Sequence, residues 1–206
     1  MAIEDFDQDG DLDLIVTGGI GANGYFINRG SGTFLDCADS AGLNPADDWT
    51  LGVSMADIDN DGDRDILLLN NGANRLLRNL GDGSFEDITT LSNIRGEARS
   101  AGASWGDLDG DGDLDLFVVN SDAANELYQN VHGTFTKSLS GAASEGSTKS
   151  FAAAFADYGN DGFLDFFVAS KSETVGSTTF GSDVIEFDHD GEFTNALSGA
   201  VVDSVS

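Results

Sequence analysis

Asp107-Leu108-Asp109-Gly110-Asp111-Gly112-Asp113-Leu114-Asp115 carries a carboxylate at every odd position of a nine-residue loop and a glycine at position 6. Like charges this dense repel one another unless a cation sits among them. A donor set made only of oxygens suits a hard divalent ion that takes six to eight ligands, which points to calcium. A tight loop turns alternate side chains inward, and glycine permits the bend that a side chain would block. Versions of this stretch begin at Asp5, Asp57, Asp107 and Asp157, so the motif recurs about every 50 residues.

A period of that size signals a propeller or a solenoid. Around each loop the order of events is constant. Small residues lead in at 52–56, 102–106 and 151–155. Continuous apolar runs follow the loop at 14–16, 66–69, 116–119 and 166–168, and read as buried strands. Third strands are expected at 24–28, 74–79 and 125–130, and fourth strands at 33–36, 84–88 and 134–136, with 184–193 in the last unit. Four short strands joined by Gly, Asn and Asp turns make one propeller blade. The expectation is an all-β propeller in one domain over 1–206, its four four-stranded blades falling near 1–50, 51–100, 101–150 and 151–206. No helix is expected in any unit. Pro45, the sole proline, lies in the link between the first two units.

Hydrophobic residues make up 40% of the 206, enough for a core, so this is not a disordered acidic tail. The formal charge of −28 repels phosphate backbones and anionic lipids, which argues against nucleic-acid binding and membrane association. No apolar run reaches the roughly 18 residues of a membrane span. The first residues, Met1-Ala2-Ile3-Glu4-Asp5, lack the regions of a signal peptide. Met1 aligns with Val53, so the first unit starts inside its own first strand, as a truncated start would. Cys37 is the single cysteine and reads as a small strand or turn residue.

The pattern at 52–69 followed by 74–88 closely resembles a unit of the FG-GAP/VCBS repeat family, the calcium-loop propeller repeats of integrin α-subunit heads and many secreted bacterial proteins. Ser40-Ala41-Gly42-Leu43 after Phe34 resembles the cartilage-acidic-protein-like variants. The Phe-Gly…Gly-Ala-Pro signature itself is absent. The family usually closes about seven blades, whereas this chain holds four. Three forms follow: a fragment of a longer propeller, a compact four-bladed ring, or half of a two-chain ring, with closure or self-association through blade edges favoured. The insert at 172–182 and the tail at 200–205 are candidates for closing the ring.

The resemblance also implies a ligand set. Side chains at positions 1, 3, 5 and 9 bind the ion, and position 7 gives its backbone carbonyl. That assigns Asp5, Asp7, Asp9 and Asp13 with the carbonyl of Asp11. The second site is Asp57, Asp59, Asp61 and Asp65 with Asp63. The third is Asp107, Asp109, Asp111 and Asp115 with Asp113. The fourth keeps Asp157, Asp161, Asp165 and the carbonyl of Phe163, but Gly159 removes one carboxylate, so a weaker Ca²⁺ site is expected there. An EF-hand is excluded, because its position 12 needs a bidentate glutamate and here holds Val16, Leu68 or Val118. Exposed sites of this kind belong to the extracellular regime of affinity, about 10⁻⁴–10⁻³ M.

Two motifs imitate catalysis. Gly102-Ala103-Ser104-Trp105-Gly106 matches a nucleophile elbow but sits in a repeated first strand and runs into an acidic loop. Gly19-Ile20-Gly21-Ala22-Asn23-Gly24 matches a dinucleotide fingerprint, but a strand follows it where a helix is needed. His132 and His189 read as turn residues, and Trp49 and Trp105 as blade packing. The expected function is therefore a non-enzymatic, calcium-stabilised module for extracellular or cell-surface binding or adhesion, with a protein or carbohydrate ligand. The alternatives are a module of a secreted polysaccharide lyase or hydrolase, and a self-assembling structural subunit.

Overall fold

The computed structural model describes residues 1–44, 48–94, 96–138 and 150–170, and beyond these the strands at 173–175, 178–180, 183–187 and 193–195. The first sheet holds β1 (Ala2–Glu4), β2 (Asp13–Val16), β3 (Gly24–Asn28) and β4 (Phe34–Asp36). The second holds β5 (Thr50–Ala56), β6 (Asp65–Asn70), β7 (Arg75–Asn79) and β8 (Phe85–Asp87). The third holds β9 (Ser100–Gly106), β10 (Asp115–Asn120), β11 (Glu126–Val131) and β12 (Thr134–Ser138). In the fourth, β13 (Ser150–Ala156) and β14 (Asp165–Ser170) pair in turn with β17 (Asp183–Phe187) and β18 (Phe193–Asn195). A separate hairpin, β15 (Glu173–Val175) and β16 (Thr178–Phe180), is inserted before β17. All pairings are antiparallel, and within each four-stranded sheet the strands lie in chain order, which is the blade of a propeller.

Register is the same in every blade. Position 9 of the acidic loop pairs with the last residue of the first strand: Asp13 with Glu4, Asp65 with Ala56, Asp115 with Gly106 and Asp165 with Ala156. The loop is thus the β1–β2 type of connection, repeated four times at one end of the strands. First strands lie beside one another in series, β1 with β5, β5 with β9, and β9 with β13.

The apolar runs are continuous because each inner sheet is covered on both faces. Ile66 and Leu68 pack with Phe6, Ile15, Tyr25 and Leu77 between the first two blades. Leu67 and Leu69, on the opposite face by the two-residue alternation of a strand, pack with Leu116, Val118, Tyr128 and Phe135. Phe117 and Val119 repeat the arrangement toward Val168 of the fourth blade. Each such side chain contributes about 1.5–3 kcal/mol by burial. By contrast Ile3 and Val16, on the far face of the first blade, and Phe167, on the far face of the fourth, are exposed.

Two expectations need correction. A helical turn, α1 (Thr89–Ser92), follows β8 and ends on left-handed Asn93. Four residues are too few to show a helical period in sequence. The turn is held instead by Thr89, whose amide donates to Asp87 and whose hydroxyl accepts from Leu76. In the last unit the stretch 184–193 is split between a third and a fourth strand, because the β15–β16 hairpin displaces both toward the C-terminus. The tail at 200–205 and His189 lie outside the described residues.

Candidate metal centre

The four loops share one scaffold of backbone donors and carboxylate acceptors. The carboxylate at position 1 accepts from the amides of positions 5 and 6: Asp5 from Asp9 and Gly10, Asp57 from Asp61 and Gly62, Asp107 from Asp111 and Gly112, Asp157 from Asp161 and Gly162. Position 5 accepts from the amide of position 7 in every loop. The glycine at position 6 has φ between +92° and +97°, a conformation that excludes a side chain.

Position 9 does more than the sequence predicts. Asp13, Asp65 and Asp115 are fully buried. Each takes two backbone amides, one from position 2 of its loop and one from the third strand. Asp65 accepts from Ile58 at 3.0 Å and Asn79 at 2.9 Å, and Asp115 from Leu108 at 2.9 Å and Asn130 at 2.8 Å. Asp13 does the same with Phe6 and Asn28. Burial pushes Asp65 up to about 7 and Asp115 up to about 6, against these donors, which pull the other way.

Carboxylate oxygens converge in three loops. Asp5, Asp7 and Asp13 bring oxygens within 4.8 Å of one another in the first, Asp57, Asp59 and Asp61 in the second, and Asp107, Asp109 and Asp111 in the third. Positions 1 and 3 are therefore common to all three clusters, joined by position 9 in the first and by position 5 in the others. Asp7, Asp59 and Asp109, all at position 3, are held above the usual carboxylate range by desolvation first and then by the neighbouring carboxylates. Asp7 Oδ1 and Asp59 Oδ1 are buried with no hydrogen-bond partner. An acceptor in that state is costly unless something positive meets it; Arg78, 4.0 Å from the other oxygen of Asp59, does so in part at the second loop. The donor set, all hard oxygen and bearing several negative charges, fits a divalent cation such as calcium. The residues that would hold it are those at positions 1, 3, 5 and 9, with the carbonyl of position 7 available.

The fourth loop keeps the scaffold but not the cluster. Asp165 accepts from the amides of Tyr158 and Gly159, and Gly159 supplies no carboxylate at position 3. Among the described residues no convergence of carboxylates appears there. The side chains at position 7 also have a job of their own. Asp63 accepts from Gln8 of the preceding loop, and Asp113 from Asn60 of the preceding loop and from the amide of His132.

The two motifs that imitate catalysis lie within the blade framework. Ser104 lies within β9 and donates to the carbonyl of Ala153 in the next blade. Trp105 donates to Ser54 and meets Phe135 edge-on. Residues 19–24 form the turn into β3. His132 is exposed in the β11–β12 turn, and Cys37 packs at the edge of the first core. Trp49, expected in blade packing, is 39% exposed beside Gly19 instead.

Sequence reasoning missed a relay of asparagines at the end opposite the acidic loops. Asn23, Asn74 and Asn125 are buried in the turn before each third strand. Each sends its amide to the hydroxyl that opens the next blade: Asn23 to Thr50, Asn74 to Ser100 and Asn125 to Ser150. Asparagine in a turn reads only as a turn former. The sole signal was its recurrence about five to seven residues after each apolar run.

A family model described as an FG-GAP-like repeat matches residues 5–68, 57–118 and 107–168. The chain belongs to the FG-GAP-like repeat family. Human cartilage acidic protein 1 is 42% identical over 74 residues, covering 34% of this chain and 11% of that protein. The Xenopus tropicalis protein of the same name is 40% identical over the same length. The matched stretch thus spans about a tenth of the length of these relatives. Among solved structures, an Agrocybe aegerita lectin that recognises non-reducing terminal N-acetylglucosamine superposes with a TM-score of 0.51 at 22% identity, over 93% of this chain and 49% of that one. At that identity the likeness concerns the fold alone. No helix among the described residues is long and apolar enough to cross a membrane.

Proposed function

We propose that this FG-GAP repeat chain is a non-enzymatic, calcium-stabilised propeller module that binds a protein or carbohydrate ligand in an extracellular setting. The observation that carries the reading is the convergence of carboxylates in three successive loops, with Asp7 Oδ1 and Asp59 Oδ1 buried and without a hydrogen-bond partner. Calcium at millimolar extracellular levels is the ion that such exposed oxygen sites would retain. Bound there, it offsets part of the charge of these three loops and stiffens that end of their blades.

Recognition then falls to the turns that vary between blades. The lectin neighbour supports a carbohydrate among the candidate ligands, and the net charge of −28 disfavours nucleic acid. Self-association through the exposed apolar faces of the first and fourth blades belongs to the same proposal. A thermal melt in millimolar calcium against one in EDTA tests the core of it. Calcium raises the melting temperature if it binds only the folded chain, and coincident melts would remove the reading. Glycan-array binding in calcium and in EDTA then separates a carbohydrate ligand from a protein one.

A further inference from the structure

Position 4 of each loop holds no ligand in any reading above. It lies between the ligands at positions 3 and 5 and has a left-handed backbone: φ is 56° at Gln8, 60° at Asn60, 75° at Gly110 and 53° at Asn160. Two of these side chains leave their own loop. Gln8 Nε2 donates to Asp63 Oδ1, at position 7 of the second loop. Asn60 Nδ2 donates to Asp113 Oδ1, at position 7 of the third, at 2.9 Å. The space for these bonds is kept clear. A Cβ at Gly81 would meet Asp63 Oδ2 at 2.6 Å and Gln8 Nε2 at 3.1 Å. Asp113 is pinned from its other side by the His132 amide at 2.8 Å.

At the next junction the donor and the acceptor are lost together. Position 4 of the third loop is Gly110 and position 7 of the fourth is Phe163. The link therefore runs through the first three loops and stops at the fourth.

We propose that Gln8 and Asn60 are positioning residues that couple calcium binding between adjacent loops, making the first three sites one linked array and leaving the fourth independent. This rests on the calcium reading above. The reason is mechanical. Position 7 would offer its carbonyl to the ion while its carboxylate is held by the preceding loop. Fixing Asp113 in the third loop fixes Asn60, and with it the backbone that aims Asp59 and Asp61 in the second. By linkage the effect is mutual: whatever the second site gains from the third, the third gains from the second.

Asn60→Gly is the decisive variant. It removes the amide, keeps the left-handed backbone without strain, and copies what Gly110 already is. Isothermal titration with CaCl₂ should show a steep wild-type isotherm for the linked sites. In Asn60→Gly the slope should fall and the midpoint should move to roughly threefold to tenfold higher calcium, the scale of one charged hydrogen bond discounted for partial exposure. The converse variant, Gly110→Asn with Phe163→Asp, should draw the fourth loop into the array, with neither single change sufficient. A role in folding alone would instead lower the EDTA melt and leave the isotherm unmoved. An Asn60→Gly isotherm superimposed on wild type overturns the coupling, whereas a wild type that takes up no calcium overturns the calcium reading itself.

Discussion

The third and fourth acidic loops have the same backbone and different chemistry. Loop 107–115 and loop 157–165 both use position 1 to hold the amides of positions 5 and 6, and position 9 to hold that of position 2. Yet Asp109 is replaced by Gly159 and Asp113 by Phe163, and with them go the carboxylate cluster and the bond to the neighbouring loop. Shape is thus encoded at positions 1, 5, 6 and 9, and cation chemistry at position 3. On the calcium reading, the shared hydrogen bonds set the path of the loop, and an ion would relieve the charge that position 3 completes.

Chelation should break this comparison most visibly. At a hundredfold excess of calcium over Kd each filled site contributes about 2.7 kcal/mol, so three sites give a large fall in melting temperature on adding EDTA. The fourth loop should contribute least to that fall. Next in size is the removal of a shape residue. Asp115→Ala leaves the amides of Leu108 and Asn130 buried without acceptors, and should cost about 2–4 kcal/mol by urea unfolding. The loss should appear in EDTA as well as in calcium. Asp109→Gly, which gives the third loop the position 3 of the fourth, should be near neutral in EDTA and weaken calcium uptake at the third site about tenfold. If both variants behave alike in EDTA, shape and chemistry are not separable. The smallest effect is a gain. A Cβ at Gly159 meets nothing closer than Asp161 Cγ at 3.7 Å, so Gly159→Asp fits. It should tighten the fourth site about tenfold, or about 1.4 kcal/mol, by calcium titration.

Much of this was legible in the chain. The spacing of Asp5, Asp57, Asp107 and Asp157 gave the blade count, and runs such as Leu116-Phe117-Val118-Val119 gave strands covered on both faces. The short strands were found because turn residues bound them. What escaped notice were relations across blades. A carboxylate at position 9 looks the same in sequence whether it faces solvent or, like Asp65, sits buried between two amides. The Asn60–Asp113 bond spans 53 residues, and only the joint loss at Gly110 and Phe163 hints at it. Asn23, Asn74 and Asn125 were hidden by being good turn residues.

Those three asparagines have a consequence for how the chain is made. Each reaches forward by only 25 to 27 residues, to the first hydroxyl of the following blade. A blade therefore meets its partner soon after that partner leaves the ribosome, and long-range search is unnecessary. Folding should advance in one direction, each new strand registering on a finished neighbour before any calcium is met. Hydrogen exchange on chains stalled at successive lengths would show protection arriving blade by blade, and simultaneous protection of all four would rule that order out.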